Sequence, residues 1–267
     1  MKISFSTVGC PGWSFGEIVS AARDLGYDGI EIRGVGSELF APRTHPFSPD
    51  GLPATARMLR GASLAIPALD SSCCLGCGDY HNNEAEGKAY IDLAAKLGAA
   101  CVRVMISPHP QPEPADEDAA ARMAAALCDY AGKEVAVLVE TNGIFCDTKK
   151  LGGFVRSVSR ANLGVLWDVH HPLRFGGESV EESFSNIGGF VRHVHLKDSV
   201  MKDGAVEYRM AGHGDVPVPD ALKLLRGAGY AGYLSLEWVK RWNADLEEPG
   251  IVFAHFADYI RRLLARL

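Results

Sequence analysis

No stretch of the chain approaches the roughly 18 apolar residues that a membrane-spanning helix needs. The opening Met1-Lys2-Ile3-Ser4-Phe5-Ser6 has no long apolar core of a secretory leader either. Basic excess is also lacking: 27 Lys and Arg stand against 33 Asp and Glu, a net charge of -6. Such a chain is repelled by phosphate backbones and anionic lipid. These shortages point to a soluble, cytoplasmic protein with a small-molecule partner, no nucleic acid and no membrane, and they leave homo-oligomer formation open. Low-complexity segments are missing, so nothing reads as an interdomain linker.

Cysteine is present but not in a disulfide pattern, because seven scattered thiols leave at least one unpaired. Cys73, Cys74 and Cys77 cluster, and the Cys74/Cys77 spacing would suit a zinc knuckle or a redox pair. No second matching pair follows, so a structural or incidental role is expected.

What the sequence does contain is an alternation. Short apolar runs rich in β-branched residues are each followed by a longer segment with helical spacing, the pattern of a parallel sheet covered by helices. Eight strands are predicted at 2–7, 28–33, 63–69, 101–106, 134–140, 163–168, 190–196 and 233–238. The expected fold is α/β, a single (β/α)8 TIM barrel domain over residues 1–267, a length that suits such a barrel. Helix punctuation agrees. Ser14 and Glu17 form a capping box, Ile18, Ala22 and Leu25 share a face, and Gly26 ends the helix. Pro219 suits a first turn ahead of Leu222 and Leu225, and Phe253, Phe256, Ile260 and Leu263 give the last helix an apolar stripe. Gly26-Tyr27-Asp28-Gly29 and Gly229-Tyr230-Ala231-Gly232 form a weak internal repeat between a helix and the next strand. The acidic, proline-rich 107–118 reads as a loop before a helix containing Met123 and Leu127.

Strand phase separates inside from outside, since residues two apart share a side. Val135, Val137 and Val139 oppose Ala136, Leu138 and Glu140, and Leu163, Val165 and Trp167 oppose Gly164, Leu166 and Asp168. Val194 and Leu196 oppose His193 and His195, and Leu234, Leu236 and Trp238 oppose Tyr233, Ser235 and Glu237. The large apolar phase faces the helices. Glu140, Asp168, His195 and Glu237 therefore point into the barrel from the carboxyl ends of four successive strands, where barrel enzymes place their chemistry. Three carboxylates and an imidazole gathered in a low-dielectric mouth repel one another unless a cation joins them. One divalent metal ion is expected, and an oxygen-rich set with one nitrogen suits Mn, Mg, Co or Zn alike. Glu31, Arg33 and Arg103 share the inward phase and read as an interior ion network rather than substrate binders. Trp13 and Trp242 lie on loops near the mouth.

Val139-Glu140-Thr141-Asn142, Trp167-Asp168-Val169-His170-His171, His193-Val194-His195-Leu196-Lys197-Asp198 and Leu236-Glu237-Trp238 together give the chain a resemblance to the xylose isomerase-like barrel superfamily. That group includes sugar and sugar-phosphate isomerases and epimerases, inosose dehydratase and endonuclease IV. The resemblance implies a metal bound by Glu140, Asp168, His195 and Glu237, with Glu140 and Glu237 also the catalytic acid and base. It places His171 and His193 near the substrate and likens Gly212-His213-Gly214-Asp215-Val216-Pro217 to the family's glycine loop. The epimerases' arginine after the seventh-strand histidine falls near Met201 here, so Arg209 or Arg241 is the substitute on offer, and Lys197 joins the substrate-binding set.

The leading expectation is a metal-dependent isomerase or epimerase of a small sugar or sugar phosphate, moving a proton through a metal-stabilised enediolate. Alternatives are an inosose-type dehydratase, in which the enediolate expels a β-hydroxyl, and an endonuclease IV-like phosphodiesterase that would recruit extra metal ligands from His109, His213 and Asp215. A non-catalytic sugar-binding barrel is a third.

Overall fold

The computed structural model describes residues 1–267. Eight parallel strands form one nearly closed barrel: β1 (Lys2–Ser6), β2 (Gly29–Glu31), β3 (Ala68–Cys74), β4 (Cys101–Met105), β5 (Ala136–Glu140), β6 (Leu163–Asp168), β7 (Val191–Leu196) and β10 (Tyr233–Leu236). They are ordered β2-β1-β10-β7-β6-β5-β4-β3. Short bridges at Gly29/Ala65 and Ile32/Leu69 close the ring between its two ends. A helix follows each strand: α1 (Phe15–Asp24), α2 (Leu52–Gly61), α3 (Tyr80–Leu97), α4 (Glu117–Ala131), α5 (Thr148–Val158), α6 (Val180–Ile187), α7 (Val218–Gly227) and α8 (Pro249–Leu264). The α/β class and the (β/α)8 barrel expected from the alternation are therefore what the chain forms. No helix is long and apolar enough to cross a membrane.

Local chemistry explains the boundaries. The Glu17 amide donates to Ser14 Oγ at 3.3 Å and the Ser14 amide to Glu17 Oε2 at 2.8 Å, the reciprocal pair that opens α1. The two Gly-Tyr repeats prove to be one device used twice. Gly26 and Gly229 both take positive φ, and the amides of Tyr27 and Tyr230 reach back to Ala22 O and Leu225 O, each at 2.9 Å. The outward phase of the strands, including Val137, Val165, Trp167, Val194 and Leu236, packs against the helices in one large core. In that core Phe253 of α8 stacks on Phe5 at 4.1 Å.

Two elements differ from expectation. The third strand runs to Cys74 and not from 63 to 69. The Ala65 amide does donate to Asp28 O and Ala65 O accepts from Ile30 of β2, but Pro67 has no amide to donate, so the continuous ladder starts only at Ala68. The second is an antiparallel hairpin between β7 and α7, made of β8 (Asp198–Lys202) and β9 (Ala205–Arg209). Asp203 and Gly204 turn it with φ of 52° and 79°, the backbone that a two-residue Asp-Gly hairpin loop requires.

The cysteines are all free thiols. Cys73 is buried with its Sγ 4.0 Å from Met123 Sδ, and burial pushes its thiol up to about 12, away from the thiolate that metal binding or exchange needs.

Candidate functional site

β5, β6, β7 and β10 are consecutive around the barrel, and their carboxyl ends converge. His195 Nδ1 lies 3.5 Å from Glu140 Oε1, 3.6 Å from Glu237 Oε1 and 3.8 Å from Asp168 Oδ2. Ligands held about 2.0–2.2 Å from a common cation are separated by distances of this order. His195 Nδ1 and Glu140 Oε1 are buried without a hydrogen-bond partner, a costly arrangement for a fold to keep. The donor set, its spacing and these two orphaned atoms fit a divalent cation.

Each donor is aimed by a neighbour. Asp168 Oδ1 accepts from the amides of His170 at 2.9 Å and His171 at 3.2 Å, which leaves Oδ2 turned to the cluster. Thr141 Oγ1 donates to Asp168 O and accepts from the Asp168 amide, tying the tips of β5 and β6 together. Glu140 Oε2 receives Arg103 Nη1 at 3.1 Å. Burial pushes the Glu140 carboxyl up, but Arg103, His195 and His171 outweigh it and hold it at about 2. Glu31 reaches across the barrel so that its Oε1 lies 3.0 Å from His195 Nε2 and its Oε2 2.6 Å from His193 Nε2. A carboxylate behind an imidazole fixes ring orientation and leaves the other nitrogen for a metal. Burial lowers the His195 imidazole, yet Glu31, Glu237 and Glu140 raise it well above the ordinary histidine range.

The remaining sequence candidates separate. His171 lines the mouth, its Nδ1 3.2 Å from Thr141 O and its Nε2 3.6 Å from Asp168 Oδ2. Lys197 is buried and bridges Asp168, at 2.5 Å, and Glu237. His193 sits behind the donors against Glu31 and does not line the cavity. Arg209 is not gathered into the site: it pairs with Glu207 of its own strand at 2.6 Å, half-exposed, because β9 alternates and presents Tyr208 to the cavity instead. Arg241 donates to Gly36 O away from the donors. His213 is exposed and Asp215 pairs with Arg174. Asp198 is committed to the backbone, accepting from the amides of Ser199, Gly212, Gly214 and Val216.

Above the donors opens a cavity of about 650 Å³, lined among others by Glu140, His171, Lys197, Tyr208, Glu237 and Trp242. Its size suits a small organic ligand. Tyr208, whose ring stacks on His170 at 5.6 Å, has no part in the motifs of the sequence, whereas Asn142, which donates to Ser107 O at 2.8 Å, belongs to Val139-Glu140-Thr141-Asn142 but carries no predicted role there. The signal for Tyr208 was the Asp203-Gly204 pair between alternating residues. Trp13 packs on Phe253 instead of the cavity.

Comparison with known proteins identifies the family. A family model described as xylose isomerase-like TIM barrel matches residues 19–261. Fructoselysine 3-epimerase of Shigella flexneri is 24% identical over 265 residues, covering 91% of this chain and 91% of that protein. The crystal structure of D-psicose 3-epimerase with D-tagatose from Clostridium cellulolyticum H10 superposes with a TM-score of 0.78 at 18% identity, over 99% of each chain. The structure of IOLI protein with a binding zinc atom superposes with a TM-score of 0.75 at 18% identity, over 100% of this chain and 99% of that one.

Proposed function

The chain belongs to the xylose isomerase-like TIM barrel family, and on that premise we propose that it is a divalent-metal-dependent epimerase or isomerase of a small carbohydrate. The observation that carries the reading is the ring of three carboxylates 3.5 to 3.8 Å from His195 Nδ1, two of them glutamates at the ends of the donor arc. The relatives that carry epimerase names, acting on fructoselysine and on psicose, support it. So does the zinc reported in IOLI protein.

Glu140, Asp168, His195 and Glu237 would hold the cation, Mn, Mg, Co or Zn, which when bound polarises a ketone and its neighbouring hydroxyl. The chain's own residues do the rest. Glu140 on β5 and Glu237 after β10 approach from the two ends of the arc, so one takes a proton from the carbon beside the carbonyl and the other returns it to the opposite face. Glu140, held at about 2, is a carboxylate throughout the neutral range. Lys197, raised by Asp168 and Glu237 despite burial, is a fixed cation beside the charge that develops on the enediolate. His171 and Tyr208 line the same space and position substrate hydroxyls.

The test is incorporation of solvent deuterium. Metal-loaded protein incubated in D2O with a panel of ketoses and ketose phosphates is expected to label the epimerised carbon, by NMR, and Glu237→Gln to slow labelling by about 10²- to 10⁴-fold. Absence of label from every ketose in the panel, with metal bound, overturns the reading. Loss of a β-hydroxyl with label retained assigns dehydration instead.

A further inference from the structure

β2 lies four strands from β6 in either direction around the barrel, so the mouth ends of β2 and β3 face the metal-donor arc across the cavity. That far wall carries Arg33, two residues beyond Glu31 in the same inward phase, and Ser72 of β3. Arg33 is 7% exposed. Its Nη2 donates to Ser72 Oγ at 2.8 Å, its Nη1 has no partner, and no carboxylate stands within ion-pair distance. The other guanidinium on this wall, Arg103, is matched by Glu140 at 3.1 Å and Asp70 at 3.7 Å. Burial and the like charge of Arg103 push the Arg33 pKa down and outweigh the opposing pull of Tyr90, Asp70 and Glu86, none of which reaches ion-pair distance. Folds seldom keep a buried guanidinium without a counter-ion, because desolvation of the charge is then uncompensated. One neutral hydroxyl in contact, with Asp70 and Glu86 beyond ion-pair reach, is poor compensation, and this residue lines the cavity.

We propose that Arg33, assisted by Ser72, is a subsite for an oxyanion carried by the substrate at the end remote from the metal donors. The proposal rests on the carbohydrate reading above and narrows it to acidic or phosphorylated sugars. A guanidinium offers parallel N–H donors matched to a carboxylate or phosphate. The Ser72 hydroxyl accepts from Arg33 and keeps its own proton to donate. The cavity of about 650 Å³ leaves room for one ligand to span from Glu140 to Arg33.

Calorimetric titration of the manganese-loaded protein with D-fructose, D-fructose 6-phosphate and 5-keto-D-gluconate tests it, since these ketoses have the same carbon number and are neutral, phosphorylated and carboxylated. Wild type is expected to favour one charged ketose over D-fructose by about 10- to 100-fold, the range of a charge-assisted contact. Which one wins separates phosphate from carboxylate. Arg33→Gln should erase the preference, bringing the affinity for the charged ketose down to that for D-fructose measured on the same variant, and Arg33→Lys should keep part of it. If Arg33→Gln shows no cooperative melting transition, Arg33→Lys against wild type decides, with a preference reduced in Lys supporting the subsite and an undiminished one opposing it. Equal affinity for neutral and charged ketoses in wild type, or a preference that survives Arg33→Gln, overturns the proposal. A preference lost in Arg33→Gln while no ketose exchanges its C–H with D2O keeps the subsite and overturns the epimerase reading alone.

Discussion

Beneath the metal donors the barrel interior divides into two unlike halves. Under Glu140 and Asp168 an apolar plug of Ala68, Cys101, Leu138 and Leu166 occupies inward positions of β3 to β6, beside the buried pair of Asp70 and Arg103. Under His195 and Glu237 they are polar, with Glu31, His193, Ser4 and Ser235 on β2, β7, β1 and β10, all buried. The difference follows what each donor needs. A carboxylate presents equivalent oxygens and is aimed by its own turn or by a guanidinium, as Asp168 and Glu140 are, so an inert floor suffices. An imidazole must have one nitrogen protonated and the other bare, and only a polar partner behind it makes that choice. In the polar half Glu31, shared between His193 and His195, sets the chemistry of one histidine, while the plug of the other half contributes packing.

Three substitutions or conditions probe this division, beginning with the largest effect. Leu166→Ala, which opens a hole in the plug, should lower unfolding free energy by about 2–5 kcal/mol in a urea titration while the folded protein still binds one metal ion. A loss below about 0.5 kcal/mol, the range of ordinary surface changes, would show that the plug is dispensable. Glu31→Gln should weaken manganese binding by about 10- to 100-fold by calorimetry, with a smaller effect on folding. Unchanged affinity would mean that packing alone orients His195. The smallest effect is on pH. Glu31, Glu237 and Glu140 raise the metal-free His195 imidazole despite its burial, so the ring holds a proton more tightly than an ordinary histidine and a binding cation has to displace it. Affinity should rise with pH, by at most about tenfold per unit, until the raised pKa is passed. Proton release, read from binding heats in buffers of different ionisation enthalpy, checks the sign.

Much of this was legible in the residues themselves. β5, β6, β7 and β10 alternate cleanly, with β-branched or bulky apolar residues outward, so the phase of Glu140, Asp168, His195 and Glu237 followed from the pleat. The far side of the mouth was harder. Leu64, Ala65 and Ile66 imitate a strand and are partly used as one, while the inward residues of the true β3, Asp70 and Ser72, are polar and hide its apolar pattern. The placement of Arg209 failed for a different reason. A one-residue step along β9 exchanges the faces of Tyr208 and Arg209, and nothing in composition says which face meets the cavity until the hairpin itself is recognised. The inward phase of Glu31 predicts an interior ion network, but only the fold shows that its partners are the two imidazoles across the barrel.

The β8–β9 ribbon pairs only with itself. It is rooted where Asp198 and Arg174 gather the surrounding backbone, yet it contributes Tyr208 to the ligand space. Its length and decoration are thus free of the closure condition that binds the eight barrel strands to a common stagger. Lineages can rewrite such an appendage, and with it the shape of the molecule that is admitted, without disturbing the atoms that carry out the reaction.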